Sequence, residues 1–85
     1  MKFPKTPLNQ EGYHLLGRKE TAEAILVFQK NVELHPASAN AYDSLAEGYM
    51  NHGQNDLSIQ DYEKSLELNP NNTNAVEMLK KLHAK

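Results

Sequence analysis

Chemistry in this chain would have to come from four histidines, one serine beside an aspartate, a few paired carboxylates and four glycines. His14, His35, His52 and His83 are 21, 17 and 31 residues apart. That is far from the short i, i+4 spacing that sets two imidazoles on one helix face around a metal. Three of them fall at or near expected helix ends, so they read as surface or end-cap histidines. Ser44 sits in Asp43-Ser44-Leu45, mid-helix, and not in the G-x-S-x-G turn that exposes a nucleophile. Glu63 and Glu67 share a helix face, but Lys64 beside them makes a solvated charged face the simpler reading. Gly12 and Gly17 lack the following Lys-Ser/Thr of a phosphate loop. Asn71-Asn72-Thr73 fits a glycosylation acceptor, a triplet common by chance. With no cysteine there is no disulfide framework and no thiolate zinc site. No catalytic, cofactor-binding or metal-ligating residue is expected.

Composition narrows the remaining classes. The chain has 85 residues, 39% hydrophobic and 24% charged, with nine Lys/Arg against eleven Asp/Glu and a net charge of −2. It lacks the positive field that nucleic-acid binding usually needs. The longest apolar run, Ala24 to Phe28, is five residues, far below the roughly 20 of a membrane span. Met1 to Pro7 holds two prolines and no apolar h-region. No secretory signal is therefore expected, and the cytoplasm is favoured while the compartment stays open. This length suits one small domain, which buries about 60% of its unfolded-chain surface.

A repeat positions these residues. Sliding the chain against itself by 34 residues pairs Ile25 with Ile59, Lys30 with Lys64, Glu33 with Glu67, Leu34 with Leu68, Pro36 with Pro70, Asn40 with Asn74 and Ala41 with Ala75. Apolar character carries over from Leu8 to Tyr42, Leu15 to Tyr49, Leu16 to Met50, Phe28 to Tyr62 and Val32 to Leu66.

Each unit reads as two helices. Ser38 can cap a helix whose apolar face is Tyr42, Leu45, Ala46 and Tyr49, at helical spacing. Asn51-His52-Gly53 stops it, because glycine accepts the left-handed conformation of a helix C-terminus. Asn55 and Asp56 supply a new cap and a first-turn charge. The next helix shows Ile59, Tyr62 and Leu66 and ends at Asn69-Pro70. The first unit runs from Pro7 to Gly17, then from Thr21 to Leu34 before His35-Pro36. A fifth helix starts near Thr73 with Val76, Leu79 and Leu82 inward and Lys80, Lys81 and Lys85 at its negative end. No period-two strand pattern survives, and the class is all-α.

A 34-residue period of paired helices resembles the tetratricopeptide repeat (TPR). Ala39 to Tyr49 is similar to the family's first, or A, helix, with Tyr42 in the usual Trp place, Leu45-Ala46 in the Leu-Gly place and Tyr49 in the Tyr place. Gly53 matches the turn glycine. Ser58, Tyr62 and Ser65 hold second-helix positions where the family prefers Ala, an aromatic and Ala; Leu66 to Asn72 is close to its unit ending. The first unit fits through Gly12, Leu15, Ala24, Ile25, Phe28 and Pro36. It departs at Glu11 in place of a buried Leu, Lys19 in place of the turn glycine and Asn31 in place of Ala. The resemblance implies two helix-turn-helix repeats, about 5–38 and 39–72, with a capping helix about 73–85. These would form five antiparallel helices in a short right-handed superhelix acting as a non-catalytic protein–protein interaction module. A narrower resemblance runs over Leu8 to Leu16 and Asn31 to Glu47. It points to the carboxy-terminal repeat pair of some bacterial serine hydrolases, and implies a structural or oligomerisation appendage behind such a domain.

The family's A-helices line a concave face that takes extended peptides. In that register Asn9, Tyr13 and Leu16 project from the first unit, Asp43, Ser44, Glu47, Met50 and Asn51 from the second, and Glu77 and Lys81 from the last helix. Tyr13 and Met50 are the expected anchors, though each could equally pack between helices. Asp43, Glu47 and Glu77 against Lys81 leave the face slightly negative. A basic clamp on acidic peptide ends is therefore not expected, Asn9 being its one plausible remnant, and a polar or mildly basic segment suits better. Repeats usually need about three neighbours to bury a continuous core. Val76, Met78 and Leu82 at one end, with Phe3 and Leu8 at the other, would then be covered by a homodimer contact or a docked partner.

Overall fold

Helix ends fall where the chain supplies caps and breakers. The structure, a computed structural model, describes residues 7–84. The readings placed on Met1 to Thr6, including Phe3 as an edge residue, and on Lys85 lie outside them. The order is α1 (Leu8–Gly17), α2 (Thr21–Leu34), α3 (Ala39–Asn51), α4 (Asn55–Leu68) and α5 (Thr73–His83), with no strand among the described residues. The all-α, TPR-like helical repeat read from the sequence is the observed class. Ser38 caps α3 as expected, its Oγ accepting from Ala41 N at 3.1 Å. Asn72 does the same for α5, accepting from Ala75 N at 3.3 Å. One cap differs from the sequence reading. Asn55 is already the first residue of α4, and Gln54 before it makes no side-chain cap bond. The preceding turn hands the chain on through backbone bonds instead.

That turn is built twice. After α3, Gly53 N donates to Met50 O at 3.1 Å and Gln54 N to Tyr49 O at 2.9 Å, with Gly53 at φ +80°. After α1, Lys19 N donates to Leu16 O at 3.0 Å and Glu20 N to Leu15 O at 2.9 Å, with Lys19 at φ 62°. Both are Schellman closures, which require a left-handed residue. Replacing the expected glycine by Lys19 leaves the turn intact and places a Cβ in a region where it costs energy.

The core is two linked clusters. Ala24, Ile25 and Phe28 of α2 meet Leu45 of α3, with Leu15, Leu16, Val32 and Tyr49 against them. Ala46 of α3, Tyr62 of α4 and Ala75 and Leu82 of α5 form the other, with Met50, Ile59, Leu66, Met78 and Leu79 around it. Helix α3 contributes to both. The fully buried Phe28 ring fills the place where a Cβ on Gly12 would stand, 2.2 Å from its Cε1, and lies 3.1 Å from a Cβ on Gly48. Small residues thus let α1 and α3 approach one ring from two sides. Two buried serines tie α4 to α3: Ser58 Oγ donates to Ala46 O and Ser65 Oγ to Ala39 O, each at 2.8 Å. Val76 does not face inward; it is exposed, while Ala75 and Leu82 are the buried residues of α5. Glu11, at the place of the second unit's Leu45, is half-buried.

Asp61 of α4 stands 34 residues after Val27 and is likewise half-buried. Burial pushes its carboxyl from an ordinary 3.8 up to about 6. Its charge therefore works against the fold above pH 6, and that penalty fades as the pH falls toward the unfolded value. Relative to Asp61→Asn, the native protein should gain on the order of 1 kcal/mol between pH 7 and pH 4, after discounting for its partial exposure. Paired urea titrations at the two pH values measure the difference. A parallel pH response in the two proteins would refute it.

Candidate functional site

The first helices of successive units, α1, α3 and α5, are joined by polar side chains along one side. Tyr13 of α1 donates from Oη to Glu47 Oε1 of α3 at 3.0 Å, exactly one repeat period away. Its ring lies edge-on to Phe28, with centroids 5.2 Å apart and planes at 68°. This T-shaped pairing anchors an aromatic that is otherwise 36% exposed. Burial, with the charges of Glu47 and Asp43 nearby, pushes the Tyr13 phenol up to about 12, against a lowering by the Ser44 hydroxyl.

Between α3 and α5 the bridge is carboxylate to carboxamide. Asp43, buried, accepts from Asn72 Nδ2 on Oδ2 at 2.8 Å. Asn74 Nδ2 donates to its Oδ1 at 3.0 Å and to Oδ2 at 3.1 Å. Asn72 also donates to Ser65 Oγ at 2.8 Å, so the cap of α5 is wired to both α3 and α4. Neither Asp43 nor Glu47 has a cationic partner among the described residues, whose ion pairs are Arg18 with Glu20, Lys30 with Glu33 and Lys64 with Glu67.

Three buried polar atoms have no hydrogen-bond partner among the described residues: Asn9 Oδ1, Ser44 Oγ and Tyr62 Oη. Ser44 influences the Tyr13 phenol without forming a well-aligned bond to it. Burial raises the Tyr62 phenol above its ordinary value of 10.0, and the charges of Asp43 and Glu47 and the Tyr13 phenol act on it in the same direction. Tyr62 belongs to α4, yet its hydroxyl answers to residues of the α1/α3 side.

The ten residues read from the sequence thus separate into three groups. Tyr13, Asp43, Ser44 and Glu47 come together, with Asn9 half-buried on α1. Leu16 and Met50 are half-buried against the two core clusters and belong to packing. Asn51, Glu77 and Lys81 are exposed, and Asn51 Nδ2 turns back on its own helix to Glu47 O at 2.8 Å. Sequence reasoning missed Asn72, Asn74 and the Tyr62 hydroxyl. The Asn40–Asn74 identity signalled a polar position at each helix start. Nothing in the pattern separated the Tyr62 hydroxyl from its apolar ring. Of the histidines, His52 stands with Nδ1 3.1 Å from Thr21 Oγ1. No group of three His, Asp or Glu suited to a metal occurs among the described residues.

Paired helices stacked through shared core clusters, with polar bridges between the first helices, define a short helical-repeat scaffold. Residues 39–72 match the family model for the tetratricopeptide repeat. Together with the five-helix fold, this match supports a helical repeat of the tetratricopeptide type, a class associated generally with protein–protein interaction. No curated protein matches the chain significantly. No helix among the described residues is long and apolar enough to cross a membrane.

The hydrogen-bond pattern separates two substitutions. Asp43→Ala strips the Asn74 amide of its acceptor and leaves Asn72 only Ser65 Oγ, and should cost about 1–3 kcal/mol in urea unfolding. Tyr62→Phe removes a hydroxyl with no partner and should be neutral or slightly stabilising. A loss above about 1 kcal/mol in the second variant would mean that this hydroxyl is partnered after all.

Proposed function

We propose that the protein is a non-catalytic adaptor that binds a peptide or protein segment along the side formed by α1, α3 and α5. The observation that carries this reading is the negative strip on that side. Asp43 and Glu47 lie one turn apart on α3 without a cationic partner among the described residues, beside the partly exposed Tyr13 ring. A carboxylate pair of this kind favours a polar or basic segment through complementary charge. Tyr13 supplies contact area with little conformational entropy to lose. By the repeat offset the exposed Glu77 and Lys81 are the α5 counterparts of Asp43 and Glu47 and would extend the same side. Amide shifts in a 15N-labelled sample titrated with Ser-, Gly- and Lys-rich ten-residue peptides are expected to map to α1, α3 and α5. Glu47→Arg should weaken that binding at least about tenfold while the melting curve is kept. Shifts confined to the outer residues of α2 and α4, such as Leu26 and Glu63, would overturn the reading.

A second, structural reading rests on a different place. Leu66, Val76, Leu79, Lys80, His83 and Ala84 line an open, mainly apolar groove of about 570 Å³ at the α4/α5 end. By the repeat offset, its Val76, Leu79, Lys80 and His83 correspond to Tyr42, Leu45, Ala46 and Tyr49 of α3, a stretch that packs against both α2 and α4, so an added helix would seat there. Homodimer formation, or docking on an attached domain such as a serine hydrolase, would cover it. Sedimentation should then show concentration-dependent mass that Val76→Lys suppresses. A native monomer up to millimolar concentration would remove this reading.

A further inference from the structure

Ser44 and Tyr62 are each fully buried, and each carries a hydroxyl without a partner. Buried polar groups in proteins are nearly always paired, so two such orphans in one small protein need an explanation. Both are electrostatically coupled to the Tyr13 phenol, and the Tyr62 hydroxyl also feels Glu47 and Asp43. Glu47 Oε1 is taken by Tyr13 Oη, while its Oε2 accepts nothing from the described residues. The cluster is therefore negatively charged, with one carboxylate oxygen and the lone pairs of two hydroxyls unused.

We propose that this cluster is a subsite for the side-chain ammonium of a lysine in a bound peptide. The inference rests on the reading of the α1/α3/α5 side as a peptide site. An ammonium is compact and offers three donors that can be aimed independently, which suits Glu47 together with the two hydroxyls. A guanidinium fits less well, because its planar fork is best met by both oxygens of one carboxylate, and Glu47 already spends one on Tyr13. A chain-terminal ammonium is too short for acceptors that lie beneath the surface, whereas a lysine carries its charge on a four-carbon stem. The partly exposed Tyr13 ring offers an apolar wall to such a stem. In this proposal the Tyr13 ring, the exposed member, turns from Phe28 and Glu47 to admit the lysine.

The test compares three acetylated, amidated Gly/Ser ten-residue peptides with a single central Lys, Arg or norleucine, titrated into the 15N-labelled full chain. The lysine peptide should shift the amides of Ser44, Glu47 and Tyr62 and bind at least about tenfold more tightly than the norleucine peptide. Glu47→Gln should abolish that preference. Ser44→Ala and Tyr62→Phe should each reduce it about three- to tenfold, with melting curves confirming that the variants fold. A free-amino-terminal peptide without lysine should show no preference. Equal affinity for lysine and norleucine, with shifts still on α1, α3 and α5, would sink the lysine subsite and leave the peptide-binding side standing. Absence of shifts on that side with all four peptides would sink both. Arginine binding as tightly as lysine would overturn the choice of ammonium.

Discussion

Everything in this molecule depends on a ring wedged between two helices that carry almost no side chain where the ring sits. Phe28 reaches from α2 between Gly12 of α1 and Gly48 of α3. One period later, Tyr62 reaches from α4 to Ala46 of α3 and to Ala75 and Leu82 of α5. The rings bring large buried area, and the small residues let the backbones come close enough to use it. Because α3 stands on both sides of this arrangement, neither hairpin has a private core. An 85-residue chain can fold this way without the single large interior that its length would deny it.

The same wedges generate the polar side. Phe28 ends in carbon, so the aromatic from the neighbouring helix, Tyr13, meets it edge-on and sends its own hydroxyl across to α3. Tyr62 ends in oxygen, and that oxygen lies within the field of the Asp43 and Glu47 carboxylates. A conservative change of ring type between two equivalent positions thus converts a packing device into a source of polarity. Asn72 and Asn74 then lock the next helix onto Asp43. Charge is held at this place by hydrogen bonds to neutral amides, so nothing cancels it.

The helices and their order were legible because period, caps and breakers repeat at fixed spacing. Ser38, Pro36 and Gly53 each act locally, and local chemistry can be read from a string. The candidate site was legible only in part. Tyr13, Asp43, Ser44 and Glu47 share one helical register and could be grouped. Leu16 and Met50 share it too, yet they turn into the two core clusters, since side chains at the edge of a helix face answer to the neighbouring helix. The Tyr62 hydroxyl was hidden because ring depth, not spacing, decides where its oxygen ends. Val76 was misplaced for a related reason: no further helix covers that flank of α5 among the described residues.

The two turns that close α1 and α3 have the same hydrogen bonds and different residues at the left-handed position. In chains built from stacked units, stability is close to a sum of unit and interface contributions. A lysine where its counterpart is a glycine therefore grades the array. The first hairpin, with Lys19 in its turn and Glu11 at the place of a core leucine, is the part expected to open at lower free energy. Amide exchange would then run as a gradient along the chain, fastest in α1 and slowest in α3 and α4. Since Tyr13 rides on α1, fraying of that helix would uncover Glu47 and Ser44 without disturbing the carboxamide lock on Asp43. The strained turn makes α1 the hinge-side leaf of the molecule, and α3 its frame.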